Sequence, residues 1–149
     1  MLFTKILVAY DGSQLSDLAL QKAIKLAQWD SKIEIHVIHV GTYRMYLKEY
    51  KLAGEMKQSI TIPVLEGGEE IILKIKQSLK PLANPWRTYL LKGYPGKVIV
   101  RHAEQYHCDL ILIGNKGASK WKEWLLGSVS WYVVQHSTVP VLVIKNSKK

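Results

Sequence analysis

The chain has a single cysteine, Cys108, so no internal disulfide framework can hold it together. Cys108 stands beside the apolar run Asp109-Leu110-Ile111-Leu112-Ile113 and reads as a buried, inert thiol rather than a redox or nucleophilic group. Long hydrophobic runs are also missing. No stretch approaches the roughly 20 apolar residues needed to span a bilayer. The apolar segment between Lys5 and Asp11 is too short for a signal-peptide core and lacks a small-residue cleavage site. The expectation is a soluble cytoplasmic protein with no membrane partner. Acidic residues are few: 12 against 21 Lys and Arg, a net charge of +9. Such a balance can serve nucleic acid, but the lysines run the whole length from Lys5 to Lys149. No basic helix, zinc-finger spacing or RNP-type aromatic motif accompanies them, which disfavours nucleic acid and leaves a solvated basic surface. Metal-ligand spacing among His and Cys is absent, as are a Ser-His-Asp order and a paired carboxylate. His36 and His39, expected to share one face of a strand, read as packing residues rather than catalytic ones.

What is present is a regular alternation. At 149 residues the chain has the length of one domain, and its 48% hydrophobic content excludes a disordered chain. Lys5–Tyr10 is nearly all apolar, as a strand buried on both faces is. Asp11-Gly12-Ser13 breaks it, and Ser13 or Ser16 can cap a helix over Asp17–Trp29. Ile33–Val40 predicts a second strand. Glu69–Leu82 predicts a helix with Ile72, Ile75, Leu79 and Leu82 on one stripe. Trp86–Leu91, a helix over Lys97–Tyr106, and the strand Asp109–Ile113 follow. A helix over Ser128–His136 and a last strand over Thr138–Ile144 complete the series. Between Gly41 and Glu66, Tyr43, Tyr46, Leu47 and Tyr50 recur at helical spacing, while Ser59–Val64 is β-rich. This segment reads as a long connection, suited to a lid or a partner surface, with a short helix in it. Strands alternating with helices predict one α/β domain over 1–149, a three-layer sandwich around a parallel sheet.

The strand Asp109–Ile113 empties into a glycine-rich segment. Gly114 and Gly117 are followed by a nine-residue spacer, Ala118–Leu126, and then by Gly127-Ser128 at a helix start. Glycine lets backbone approach a ligand closely, and a helix N-terminus offers N–H groups and a partial positive charge. The arrangement suits an anion such as a nucleotide phosphate, and Lys116, Lys120 and Lys122 add charge of the right sign. There is no G-x-x-x-x-G-K-[ST], and no G-x-G-x-x-G after the first strand, so neither a P-loop nor a dinucleotide site is present. The spacer is unusual in carrying Trp121 and Trp124, which read as packing groups, and Glu123.

Taken in order, Asp11-Gly12-Ser13, the pattern G-x2-G-x9-G-[ST], Gly127-Ser128-Val129-Ser130 and Pro140-Val141-Leu142-Val143 resemble the universal stress protein family, specifically its ATP-binding members. The resemblance covers the chain outside Gly41–Glu66. It implies a Rossmann-like fold of the adenine nucleotide alpha hydrolase type, sheet order 3-2-1-4-5, and roles at matching positions. Asp11 and the backbone near Val40 would meet the adenosine end, with Ala9 and Tyr10 as its floor. Ile113 and Gly114 would lie against the ribose, and Lys116 and Gly117 against ribose and phosphates. Gly127, Ser128, Val129 and Ser130 would hold the phosphates of ATP, AMP or another adenine nucleotide, with Mg2+ carried mainly by the phosphates. The resemblance also implies a homodimer in which Val141, Leu142, Val143 and Ile144 pair antiparallel with their copies. With no hydrolytic constellation in view, a regulatory or stress-response nucleotide binder is expected, its hydrolysis slow or absent.

Overall fold

The computed structural model describes residues 2–41, 43–51, 54, 57–65, 67–116 and 126–146. Strand β1 (Lys5–Ala9) leads into helix α1 (Gln14–Ala27), and β2 (Glu34–Gly41) returns beside it. A hairpin of β3 (Tyr43–Lys51) and β4 (Lys57–Leu65) follows. Then come α2 (Gly68–Leu79), β5 (Trp86–Lys92), α3 (Pro95–Gln105), β6 (Leu110–Gly114), α4 (Ser128–His136) and β7 (Val141–Ile144). Five strands form one parallel sheet in the order β5-β2-β1-β6-β7, and the hairpin stands as its own two-stranded sheet. Leaving the hairpin aside, this is the 3-2-1-4-5 order implied by the resemblance.

Side-chain alternation explains the layers. Ile6 and Val8 of β1, Ile35 and Val37 of β2, and Leu110 and Leu112 of β6 turn to one face. There they pack with Ala19, Ala23 and Ala27 of α1 and with Ile75 and Leu79 of α2. Leu7, Ala9, Ile38, Ile111 and Ile113 turn to the other face, against Ile99 and Ala103 of α3 and Val133 of α4. Both faces are covered, which is why β1 and β6 read as unbroken apolar runs.

Ser13 is the residue that caps α1. Its Oγ accepts from the Ser16 N–H at 3.3 Å, and the Ser16 hydroxyl donates to the Ser13 carbonyl at 2.9 Å. At the other end of α1 the chain is held by Asn84, which lies between α2 and β5 and is buried. Its Nδ2 donates towards three carbonyls, those of Ala27 at 2.8 Å, Asp30 at 2.8 Å and Ile33 at 2.9 Å.

The segment after Gly41 corrects the sequence reading. Tyr43, Tyr46, Leu47 and Tyr50 lie in a strand, not a helix, paired antiparallel from Tyr43↔Leu65 to Lys51↔Lys57. Met45, Leu47 and Tyr46, Tyr50 point to alternate faces of the hairpin, yet all four are exposed. Among the described side chains of the ribbon neither face is packed into the domain core, so the buried-versus-solvent alternation that marks a strand in sequence is lacking there.

Candidate functional site

The parallel sheet reverses direction of winding between β1 and β6, which pair as Ile6↔Leu110, Leu7↔Ile111 and Val8↔Leu112. Val8↔Leu112 is the last pair, so the crevice at which open α/β sheets bind ligands falls outside the C-terminal ends of these two strands. Ala9, Tyr10 and Asp11 form one wall and Ile113 and Gly114 the other, with Val40 at the matching end of β2. The Tyr10 N–H extends the ladder by donating to the Ile38 carbonyl at 2.9 Å.

On the first wall the backbone turns sharply. Gly12 has φ +86, a left-handed conformation that side chains disfavour. The Asp11 Oδ1 accepts from the Ser13 N–H at 2.9 Å, so the turn is braced by the residue expected to face the ligand, while Asp11 itself stays exposed. Behind it lies a network the sequence reading did not find. The Tyr10 hydroxyl donates to the Asp17 carboxylate, and Asp17 in turn pairs with Lys74 at 3.3 Å. Burial and Asp17 together raise the Tyr10 pKa, keeping the phenol protonated as the donor. His39 donates its Nδ1–H to the Tyr10 carbonyl at 2.8 Å. His36 and His39 do not share a face: three residues apart on one strand, they alternate. His36 turns towards α3, where it meets His102, and His39 turns to the opposite face of the sheet.

On the second wall, Gly114 runs against the start of α1. A Cβ there would stand 2.8 Å from the Leu15 Cβ, closer than real Cβ atoms approach. After it the chain is pinned twice. The Asn115 N–H donates to the Ile144 carbonyl of β7 at 2.8 Å. The Asn115 carbonyl accepts from the Gly127 N–H at 2.6 Å and from the Ser130 hydroxyl at 2.8 Å. The two ends of the loop are thereby drawn together, with Gly127 as the N-cap of α4. A Cβ on Gly127 would lie 3.2 Å from the Lys116 Cα and 3.3 Å from the Asn115 carbonyl oxygen, both backbone atoms. As a glycine, Gly127 has no side chain with which to cap the helix, and among the described residues no side chain caps α4, the kind of helix start that accepts an anion. Ser128 is exposed at that helix start, Val129 is half-buried, and Ser130 is buried with its hydroxyl committed to the loop. Lys116 follows Asn115 at the rim. Gly117, Lys120, Trp121, Lys122, Glu123 and Trp124 lie outside the described residues.

A second polar cluster forms near the N-terminal ends of the strands. His36 of β2, His102 of α3 and Cys108 are all buried, and one ligating atom from each lies within 4.8 Å of the others. His36 Nε2 stands 2.8 Å from Glu34 Oε1, and His36 Nδ1 stands 3.0 Å from His102 Nε2. Tyr89 and Tyr106 enclose them, Tyr106 stacking on His102 at 4.4 Å between ring centroids. Burial holds His36 below the ordinary histidine value against the upward pull of Glu34. Burial, with His36 and Lys5 nearby, pushes His102 down to about 4. Burial also pushes the Cys108 thiol up to about 11, as an inert thiol requires. Sequence spacing could not reveal this group, because strand β2 and the end of α3 meet only after the sheet has formed.

No helix among the described residues is long and apolar enough to cross a membrane. The sequence model of the universal stress protein family matches residues 2–145. A universal stress protein of Bacillus subtilis, YxiE, is 33% identical over 154 aligned residues, covering 97% of this chain and 100% of the relative. The solved structure of MJ0577, a universal stress protein of Methanocaldococcus jannaschii, superposes with a TM-score of 0.77 at 23% identity, covering both chains completely. Two further solved relatives hold nucleotides. One is an Arabidopsis thaliana protein with AMP bound, at TM-score 0.67 and 19% identity over 97% of this chain and 92% of that one. The other is an Archaeoglobus fulgidus protein in complex with dAMP, at TM-score 0.66 and 21% identity over 97% and 100%. With the sheet order, the crevice and the family match in agreement, the chain belongs to the universal stress protein family.

Proposed function

We propose that this chain binds an adenine nucleotide, ATP with Mg2+ in the first place, in the crevice between β1 and β6, and acts as a cytoplasmic regulatory binder rather than a fast ATPase. The observation that carries the reading is the pinched loop: Gly114 and Gly127 leave room where side chains would collide, and α4 starts at Gly127 with no side-chain cap among the described residues. Asp11 and the backbone near Val40 suit the adenosine end, with Ala9, Tyr10 and Ile113 beneath it. Ser128 and the first-turn N–H groups of α4 suit the phosphates, with Gly117 and Lys116 on the approach. Ser130 serves by holding the loop closed. Bound AMP and dAMP in two relatives of the same fold agree with an adenine ligand. Mg2+ would be carried by the phosphates, whose oxygens are its preferred ligands.

Calorimetric titration with ATP, AMP and cyclic AMP tests this directly. Saturable binding of at least one is expected, and no binding of any would overturn the reading. Gly127→Ala is expected to weaken binding about tenfold, or about 1.4 kcal/mol, because its Cβ displaces the backbone at Asn115 and Lys116. An unchanged affinity in that variant would remove the loop from the site.

We also propose that the protein is a homodimer through β7. This strand is an edge of the sheet, and Leu142 is 42% exposed there. Antiparallel pairing of Val141–Ile144 with its copy covers both the open backbone groups and the apolar side chains. Light scattering is expected to give a dimer, and Leu142→Lys a monomer, since charge on an edge strand opposes pairing. A wild-type monomer at micromolar concentration would refute the interface.

A further inference from the structure

The cluster of His36, His102 and Cys108 takes no part in the crevice, and its chemistry is specific. Two imidazoles and one thiol are nitrogen and sulfur donors, the set chosen by soft or borderline cations rather than by Mg2+ or Ca2+. All three side chains are at most 4% exposed. The bond from His36 Nε2 to Glu34 at 2.8 Å fixes which nitrogen of that ring carries the proton, leaving Nδ1 as a lone pair aimed at His102. A carboxylate behind a histidine is the arrangement that orients metal-bound imidazoles. We propose that His36 Nδ1, His102 Nε2 and Cys108 Sγ bind one thiophilic d10 metal ion, Zn(II) or Cu(I), in a buried site separate from the nucleotide crevice.

The distances fit with small movements. Bonds of about 2.0 Å to nitrogen and about 2.3 Å to sulfur set the three donor atoms nearer together than 4.8 Å, so the thiol must swing inward. The imidazole nitrogens, 3.0 Å apart, open slightly as the ion replaces the proton between them. That proton moves to His102 Nδ1, the ring staying neutral, and the thiol proton leaves to solvent. One thiolate and two neutral imidazoles with Cu(I) make an uncharged centre. With Zn(II) one positive charge remains, offset only in part by Glu34 alongside. Lys5 and Arg87, the cations nearby, are already paired with Glu34 at 3.8 and 3.4 Å. Placement of the thiol depends on His107, whose φ of +55 turns the chain after α3 so that the Cys108 N–H donates to the Ala103 carbonyl at 2.9 Å.

The test uses chelator-stripped protein, titrated with Zn(II) and, without oxygen, with Cu(I), each against a competing chelator. Co(II) serves as a spectroscopic probe. The expected result is one ion per chain for at least one metal, with a thiolate-to-Co(II) charge-transfer band that identifies sulfur ligation without any variant. The tighter metal names the resident ion. Cys108→Ser is expected to remove the band and lower affinity at least about 100-fold, and Glu34→Gln to lower it about 10-fold or more. Failure of both metals to bind stoichiometrically, or binding without the sulfur band, would overturn the site. Because the crevice is elsewhere, nucleotide titration of the same samples reports separately on that reading.

Discussion

Asn84→Asp is expected to destabilise the protein by about 4 kcal/mol and to lower its melting temperature by roughly 10 °C. The Asn84 Nδ2 faces three carbonyl oxygens at 2.8 to 2.9 Å in a site with almost no exposure. An aspartate replaces those N–H donors with an oxygen pointed at three other oxygens. Ionised, it sets a buried negative charge against three carbonyl dipoles. Protonated, it satisfies one of them and leaves two facing an acceptor, at about 1–3 kcal/mol for each buried group left unpaired. Asn84→Ala, which removes the donors without adding repulsion, is expected to cost about 2 kcal/mol. Urea denaturation followed by tryptophan fluorescence measures both. If Asn84→Asp falls within about 1 kcal/mol of wild type, the three carbonyls do not depend on this donor.

Metal-free protein is expected to lose about 3 kcal/mol of stability between pH 7 and pH 4 on account of His102 alone. The folded protein holds this ring at about 4, whereas an unfolded chain titrates near the ordinary value of about 6.5. The unfolded state therefore takes up the proton first. The contribution is fully present above the unfolded value and is lost as pH falls through the folded one. His36 and Glu34 act in the same direction: both are held below their ordinary values, so each loses its contribution as the solution is acidified. His102→Gln removes one titration, and its stability curve is expected to be flatter than wild type between pH 6.5 and 4. Parallel curves for the two proteins would assign the acid sensitivity to other groups.

Much of the frame was legible because its signals are local. The sheet strands announce themselves by apolar runs that both covering layers demand, as in β1 and β6. Helix α4 was bounded by Gly127 and His136 at the residues observed. Gly114 and Gly127 of the glycine pattern stand at the end of β6 and at the N-cap of α4, while Gly117 lies outside the described residues. Three things were not legible, each for its own reason. In the hairpin, Tyr46, Leu47 and Tyr50 form, with Tyr43 in the sequence, a helix-like spacing, because these three described side chains are exposed on both faces and no alternation is imposed on them. The Tyr10–Asp17–Lys74 network and the His36–His102–Cys108 cluster join residues from different elements, so no sequence spacing encodes them. The third is Asn84, a lone polar residue before a strand, whose importance lies wholly in carbonyls more than 50 positions away.

The pairing of β1 with β6 has a consequence for synthesis. Its partners Ile6 and Leu110 are separated by most of the chain, and every link in the parallel sheet is a crossover. Such long-range pairing closes slowly and late. As the chain emerges from the ribosome, β1, α1 and β2 can assemble early, since they are contiguous. The wall made by Ile113 and Gly114 cannot exist until those residues are exposed, and the loop cannot be pinned to β7 until Ile144 follows. A nascent or truncated chain ending before Ile144 carries the first half of the crevice with nothing opposite it, so under the proposed function nucleotide binding would require synthesis through that strand.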